Sequence, residues 1–335
     1  MVILRPEADK ICPRYLYLFV RSNLFFNQVN SLATGSAQPQ LPIRDIQKIV
    51  IPTPVLEEQR TIASILGALD DKIELNQRKN ETLEEMARAI FKDWFVDFGP
   101  TRAKMEGRAP YLAHDIWSLF PDSLDSEGKP EGWLMKPVYE HADFVNGAAY
   151  KDMHFTSDRT CWPVIKIAEL KNGVTAQTRF TATDLGDRYR IDNGELLFSW
   201  SGNPDTSIDI FIWVGSAAWL NQHIFAVRSN GTASKTHLYL LLKHLKPEFA
   251  EIARNKQTTG LGHVTMQDLR RLQAAYPSVQ TIAAFDQFVS PFVQKIEANL
   301  TENRTLASLR DLLLPKLMSA EIRVKDAEKL VGEAA

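Results

Sequence analysis

Lys72-Ile73-Glu74-Leu75-Asn76-Gln77-Arg78-Lys79-Asn80-Glu81-Thr82-Leu83 returns later in the chain as Lys295-Ile296-Glu297-Ala298-Asn299-Leu300-Thr301-Glu302-Asn303-Arg304-Thr305-Leu306. Both stretches read K-I-E-x-N-x-x-x-N-x-T-L, at an offset of 223 residues. A repeat of this length sets the architecture before any local propensity does. The same offset, without gaps, pairs Asp45-Ile46 with Asp268-Leu269, Ile49 with Leu272, Pro54 with Pro277, Leu66 with Val289, Leu69 with Phe292 and Ile90 with Leu313. It also reaches Phe26 with Phe249 and Arg5 with Arg228.

Around the first copy, Ile62, Leu66, Leu69, Ile73, Asn76, Asn80, Leu83, Ala87, Ile90 and Trp94 recur at a 4-3-4-3 spacing, the pattern of a coiled-coil seam. The second copy repeats it at Phe285, Val289, Phe292, Ile296, Asn299, Asn303, Leu306, Arg310, Leu313 and Leu317, with Arg310 as a basic exception. Two asparagines in mid-seam cost stability and fix register, because a slipped pairing would leave their amides facing hydrocarbon. The spacing predicts two long helices, about 56 to 97 and 279 to 320, paired antiparallel so that Asn76 and Asn80 lie opposite Asn299 and Asn303. Forty residues at ~1.5 Å each make a rod of about 60 Å, longer than one ~34 Å turn of DNA. Residues 56–97 carry ten acids and six bases, so the outer face of this rod suits a protein partner better than phosphate.

The repeat divides the chain into the C-terminal remnant of a first variable domain (1–54), a first coiled-coil helix (55–98), a linker (99–130), a complete second variable domain (131–277), a second coiled-coil helix (278–322) and a frayed tail (323–335). The second unit opens at Pro130-Glu131-Gly132-Trp133, and the equivalent point of the first falls roughly ninety residues before Met1. The first variable domain is therefore expected to lack most of its body, and a stub of that size cannot bury a normal core. Three origins stay open: the remainder lies on another polypeptide, the reading frame starts late, or the chain pairs with itself and uses its complete domain twice.

Composition excludes several classes. With 335 residues, 44% hydrophobic and 24% charged, the chain is globular and multi-domain rather than disordered. No apolar run approaches the ~18 residues of a membrane span, and the N-terminus lacks a signal-peptide layout, so a cytoplasmic protein with no membrane partner is expected. Cys12 and Cys161 are too few for a disulfide framework or a Cys-built zinc site. A net charge of −2 confines any DNA-binding face to a local patch.

Residues 131–277 alternate short β-rich runs with turns: Val164-Ile165-Lys166-Ile167, Leu196 to Trp200, Ile208 to Val214 and His223 to Val227. One helix is expected near His237 to Asn255. The fold class is α+β, with a curved or barrel-like sheet beside the antiparallel helix pair. Sixteen Lys/Arg against fifteen Asp/Glu leave the domain nearly neutral, although six of the seven histidines lie in it. Loop groups able to read base edges or touch phosphate are Lys151, His154, Arg159, Lys171, Arg179, Ser201, Asn203, Asn221, Gln222, His223, Gln257, Thr258, Thr259 and His263. Amides match adenine, and Arg or Lys match guanine or phosphate. Taken singly, each also fits an ordinary solvated loop or a local cap, and Trp200, Trp213 and Trp219 fit a core better than a stacking platform.

No assembled catalytic motif is legible. Asn203-Pro204-Asp205 lacks the second proline and the aromatic of an adenine-methylating N-P-P-Y/F loop, and no phosphate-binding G-x-x-x-x-G-K-[ST] exists. Pro121-Asp122 with Glu127-Gly128-Lys129 resembles a PD-(D/E)xK nuclease only superficially, with its acids too close together and in a linker. Gly260-Leu261-Gly262 is a lone GxG, and the His and Cys spacings offer no zinc set.

Thr34-Gly35-Ser36-Ala37-Gln38-Pro39-Gln40-Leu41-Pro42, Ile51-Pro52-Thr53-Pro54, Glu58-Gln59-Arg60, Ile73-Glu74-Leu75-Asn76 and Phe95-Val96-Asp97-Phe98 resemble the central conserved region of specificity subunits of type I restriction-modification enzymes. Arg102-Ala103-Lys104-Met105-Glu106-Gly107, Pro130-Glu131-Gly132-Trp133 and Leu220-Asn221-Gln222-His223-Ile224 fit the same family. The resemblance spans nearly the whole chain, is strongest in the helices and linker, and weakens over 134–219. It implies two target recognition domains held apart by an antiparallel helix pair, each domain reading half of a bipartite sequence in double-stranded DNA. It further implies that the helices set the unread spacer and dock DNA methyltransferase subunits, while separate motor-nuclease subunits translocate and cleave. S-adenosylmethionine, ATP and Mg then belong to those partners, and this chain binds no cofactor and no metal and performs no catalysis of its own. In the second copy the loop reads Thr259-Gly260-Leu261-Gly262-His263 in place of a full T-G-S-x-Q-x-Q, which leaves its contacts open. Two rivals stand beside this reading: a truncated scaffold or decoy that docks methyltransferase without specific DNA recognition, and a stand-alone DNA-modifying enzyme.

Overall fold

The computed structural model describes residues 3–33, 40–257 and 261–334. They form two compact units, Met1–Lys79 with Asn299–Ala335, and Asn80–Ala298, and each long helix contributes one half to each unit. The helices run Leu56–Phe95 and Val279–Met318, forty residues apiece.

In the first unit, Ile62, Leu66 and Leu69 share one core with Leu306, Leu313 and Leu317, sealed by Tyr15 and Phe19 of the short helix Pro13–Val20. The direction of pairing is set by three polar contacts. Arg310 Nη1 donates to Asp70 Oδ1 (2.6 Å), Lys72 meets Glu302 (3.1 Å), and Asn76 Nδ2 donates to Asn303 Oδ1 (3.0 Å) and Glu302 Oε2 (2.8 Å). Position 70 meets 310 while positions 72 and 76 meet 302 and 303, so the halves run antiparallel here. Asn76 is 2% exposed, and its amide is satisfied across the seam rather than stranded. The basic exception in the seam pattern, Arg310, is matched by the half-buried Asp70.

Gln59, fully buried at the start of the first long helix, clamps the chain entering it. Its Oε1 accepts from Cys12 N (2.9 Å), while Nε2 donates to Lys10 O (3.1 Å) and Pro54 O (2.8 Å).

The expected frayed tail is instead a helix, Val324–Ala334. Val324, Ala327 and Val331 lie on one helical face, and Ala327 is buried in the core with Leu313 and Leu317. The charged residues interleaved with this apolar stripe hide it in the sequence.

In the second unit, Phe91, Trp94 and Phe95 surround Phe285 at ring-centroid distances of 6.0, 5.6 and 4.9 Å, pairing the remaining halves of the two long helices. Residues expected to form a plain linker are partly structured: Gly99–Met105 is a helix with Ala103 buried, and Phe120 packs edge-on against Trp94.

The recognition body of this unit is built on two four-stranded sheets. One is fully antiparallel, in the order Asp143–Asn146, Ile224–Arg228, Leu196–Ser199, Asp209–Ile212. The other runs Phe180–Thr181, Trp162–Ile165, Ala218–Leu220, Arg190–Ile191, with a parallel pair at its centre. Ile165, Leu197, Leu220, Ile224 and Ala226 form the core between them. The α+β class and the two long helices are as expected, and no closed barrel is present among the described residues. The single helix expected at 237–255 is two, Lys235–His244 and Lys246–Asn255, interrupted at Leu245 with Pro247 in the first turn of the second.

A half-buried polar network ties this body to the first long helix. Tyr239 Oη donates to Glu84 Oε2 (2.6 Å), Lys243 Nζ lies 3.3 Å from Glu84 and 3.2 Å from Asp209, and Lys246 Nζ lies 2.6 Å from Asp209. Burial pushes the Asp209 carboxyl up, but Lys243 and Lys246 outweigh it and hold it below the usual carboxylate range. No helix among the described residues is long and apolar enough to cross a membrane.

Candidate nucleic-acid interface

The sheet strand Leu196–Ser199 leads directly into Trp200 and a two-residue strand, Ser201–Gly202, which pairs antiparallel with Gly262–His263. Ser201 and His263 are thereby opposite each other. Gly262 permits this pairing, since a Cβ there would collide with the Ala253 carbonyl. The Trp200 indole Nε1 donates to Asn146 Oδ1 (2.9 Å), and its ring lies 5.7 Å from Phe225 and 5.6 Å from His223. Gln222 Nε2 sits 3.3 Å from His223 Nε2.

Four candidates, Ser201, Gln222, His223 and His263, therefore belong to one cluster of loop ends carried on a rigid sheet. Desolvation lowers the His223 pKa below its ordinary value. A hydroxyl, an amide and imidazoles are suited to base edges and phosphate oxygens alike. Trp213 and Trp219 are buried, whereas Trp200 is half-buried at the edge of this cluster.

A second cluster forms around Phe155. Arg179 lies 4.2 Å and Lys166 5.2 Å from its ring centroid. His154 Nδ1 accepts from Lys151 N (3.1 Å), which holds the 3-10 turn Asp152–His154 closed. Arg159 is near but committed: its guanidinium donates to the carbonyls of Thr175 (2.8 Å) and Ala176 (3.3 Å) and lies 4.8 Å from the Phe180 ring.

The structure assigns other candidates to scaffolding. Asn203 Oδ1 accepts from Asp205 N (3.0 Å) and Thr206 N (3.1 Å), capping a turn. Asn221 is 7% exposed; its backbone N–H donates to Ile165 O (3.0 Å), its side-chain Oδ1 accepts from His223 N (3.4 Å), and its backbone carbonyl lies so close to Gly147 that no side chain fits at that glycine. Lys171, on helix Ile167–Asn172, and Gln257, after helix Lys246–Asn255, are exposed and outside the contacts that define either cluster. Thr258 and Thr259 lie outside the described residues, as do Thr34 to Pro39 of the first-copy loop. Of the register asparagines, Asn76 and Asn303 bond to each other, Asn299 is buried and Asn80 is half-buried. Sequence reasoning missed Lys166 and Asn146, whose roles depend on an aromatic ring brought close only by folding.

A cavity of about 280 Å³ also lies in this unit, lined by Phe91, Phe95, Met135, Leu241 and His244 among others, and none of the candidate DNA-contacting residues lines it. Among the described residues, no group of three or more His, Cys, Asp or Glu is placed to hold a metal ion.

The family described as "Type I restriction modification DNA specificity domain" matches residues 1–85 and 130–307. The chain belongs to this family. It is similar to the type I restriction enzyme MjaIX specificity subunit of Methanocaldococcus jannaschii, 26% identical over 327 residues covering 95% of this chain and 71% of that one. It is likewise similar to the HindI specificity subunit of Haemophilus influenzae, 26% identical over 371 residues covering 96% and 80%. Among solved structures, the HsdS subunit from Thermoanaerobacter tengcongensis matches 95% of this chain and 73% of its own at 17% identity, with a TM-score of 0.41. The S subunit from M. genitalium matches 93% and 74% at 16% identity, with a TM-score of 0.47. Specificity subunits of type I systems are themselves non-catalytic, bind DNA, and work with methylase and restriction subunits.

Proposed function

We propose that this chain reads one half of a bipartite double-stranded DNA target through the loop cluster at Ser201, Gln222, His223 and His263, and delivers methyltransferase and motor-nuclease subunits to it. The observation that carries this reading is the placement of base-competent side chains on loop ends of a sheet body, which the Glu84, Tyr239, Lys243 and Asp209 network ties to the first long helix. The helix pair is the natural docking surface for methyltransferase, and S-adenosylmethionine, ATP and Mg belong to the partner subunits. The cytoplasm is the compartment such an assembly requires.

Among the described residues one sheet-built recognition body is present, in the second unit.

Calorimetric titration separates this function from a stand-alone modification enzyme. The purified chain is expected to take up no S-adenosylmethionine, whereas its complex with methyltransferase binds it and methylates DNA. Saturable binding by the chain alone would overturn the assignment. A complex that assembles but shows no sequence preference in DNA binding would leave a docking scaffold in its place.

A further inference from the structure

Met153 is 83% exposed, more than any other large hydrophobic side chain among the described residues. It sits at the apex of the short 3-10 turn Asp152–His154, beside Asp152, whose side chain is 97% exposed. A protruding thioether on a loose loop would mean little, but this turn is braced from several sides. His154 N donates to Lys151 O (2.9 Å), Phe155 N to Asp152 O (3.2 Å), and the Thr181 hydroxyl to His154 O. Thr156 N donates to Phe180 O (2.9 Å), joining the segment to the sheet, and Lys166 and Arg179 lie 5.2 and 4.2 Å from the Phe155 ring centroid.

Lys151, Lys166 and Arg179 stand around this segment against the acids Asp152 and Asp158, while Arg159 is taken up by the Thr175 and Ala176 carbonyls. Residues 151–180 carry five Lys/Arg and three Asp/Glu, although the whole chain has two more acids than bases. One of those acids, Glu169, is buried, where it accepts from Thr178 Oγ1 (3.0 Å) and Lys166 N (3.0 Å). Asp152 is offset by Arg179 at 3.4 Å.

A braced, exposed, unbranched apolar side chain flanked by cations has the makings of a wedge that enters between base pairs while the cations hold the flanking phosphates. Resting on the DNA-reading function proposed above, we infer that Met153 inserts into the bound duplex at one base step, unstacks it, and so makes recognition depend on how readily that step deforms. Lys151 and Arg179 are the phosphate contacts on either side. The discrimination gained this way is indirect, read from DNA stiffness rather than from a hydrogen-bond pattern.

The test uses the full chain in complex with its methyltransferase and a duplex carrying the methylated site. Oxidation of each methionine by dilute peroxide is followed by mass spectrometry with and without DNA, with Met86, Met105 and Met135, all exposed, as internal references. Met153 oxidation should slow at least fivefold when the duplex is bound and recover in high salt, with the references unchanged. Permanganate, which attacks unstacked thymines, should mark one step in the wild-type complex and lose that mark with Met153→Ala, a surface change that leaves the fold intact. Bound DNA that leaves Met153 oxidation unchanged, or a permanganate mark that persists in Met153→Ala, overturns the wedge while leaving the DNA-reading function standing. Protection by methyltransferase alone assigns Met153 to a protein contact and equally overturns it. Absence of any specific DNA binding by the wild-type complex overturns both.

Discussion

The two halves of the helix pair follow one 4-3-4-3 pattern and fill it with different chemistry. In the first unit the seam carries Asp70 with Arg310, Lys72 with Glu302 and Asn76 with Asn303. In the second unit it carries Phe91, Trp94, Phe95 and Phe285, with the buried His237 against Phe95 at 4.9 Å. Polar pairs are directional and tolerate one register, so they specify alignment at modest net gain. Aromatic packing is less directional and buries large area, so it supplies stability. A repeated sequence pattern thus need not have a repeated physical job.

The largest expected effect lies in the aromatic half. Trp94 is 1% exposed, and Trp94→Ala should cost about 3–5 kcal/mol in urea denaturation. A loss under about 1 kcal/mol would mean that the aromatic cluster is not the main source of stability in this half.

The same half should be sensitive to acid. Burial lowers the His237 pKa from 6.5 to about 3 and that of His141 to about 4. The unfolded chain binds these protons more readily, so the stability contribution is complete above about pH 6.5 and is lost as pH falls toward 3. By pH 5 the loss from His237 alone should be on the order of 2 kcal/mol. His237→Leu should flatten that slope in thermal melts run from pH 7 to 4.5; an unchanged slope would show that His237 is not its source.

In the polar half the effects should be smaller. Arg310 and Asp70 are each 18% exposed at the side chain, so removing Arg310 alone should cost about 1–2 kcal/mol after allowance for solvent screening. A double-mutant cycle of Asp70→Ala with Arg310→Ala should recover about half of the summed cost, and strict additivity would mean that the pair is not coupled.

Smallest in magnitude and most informative is the asparagine pair. Asn76→Ile alone should lose about 1 kcal/mol by removing the cross-seam hydrogen bond to Asn303 Oδ1. Asn76→Ile with Asn303→Ile should raise the melting temperature above wild type while allowing the helices to slip, which cysteine cross-linking between the helices would detect as more than one register. A doubly substituted chain that stays in one register would move the source of alignment to Arg310 and Asp70.

Much of this architecture was legible in the sequence because the long helices repeat their signals over forty residues. The expected starts at 56 and 279 match the observed ones, and the ends fall two residues short of expectation at Phe95 and Met318. The helix Val324–Ala334 escaped because three apolar positions spread through a charged stretch read as a tail until Leu313 and Leu317 supply a surface to cover. The recognition loops were harder, since the residue types that contact DNA are also those that cap turns. Asn203 and Gln222 have the same amide chemistry, yet the first caps its own turn and the second sits beside His223. Arg159 and Arg179 are both basic loop residues, but the carbonyls of Thr175 and Ala176 occupy the first. Such distinctions arise from partners distant in sequence and become visible only once the chain is folded.

The central claim, that this chain supplies sequence specificity, is tested most directly by mapping methylated bases genome-wide after expressing it with the matching methyltransferase in a methylation-free host. The account predicts one new motif that requires this chain and that is lost or changed by Gln222→Ala with His263→Ala. An asymmetric motif would indicate a second recognition domain supplied in trans, and a palindromic one this domain used twice. Methylation by the methyltransferase without this chain at the same sites, or a motif unchanged by the double substitution, would contradict the account.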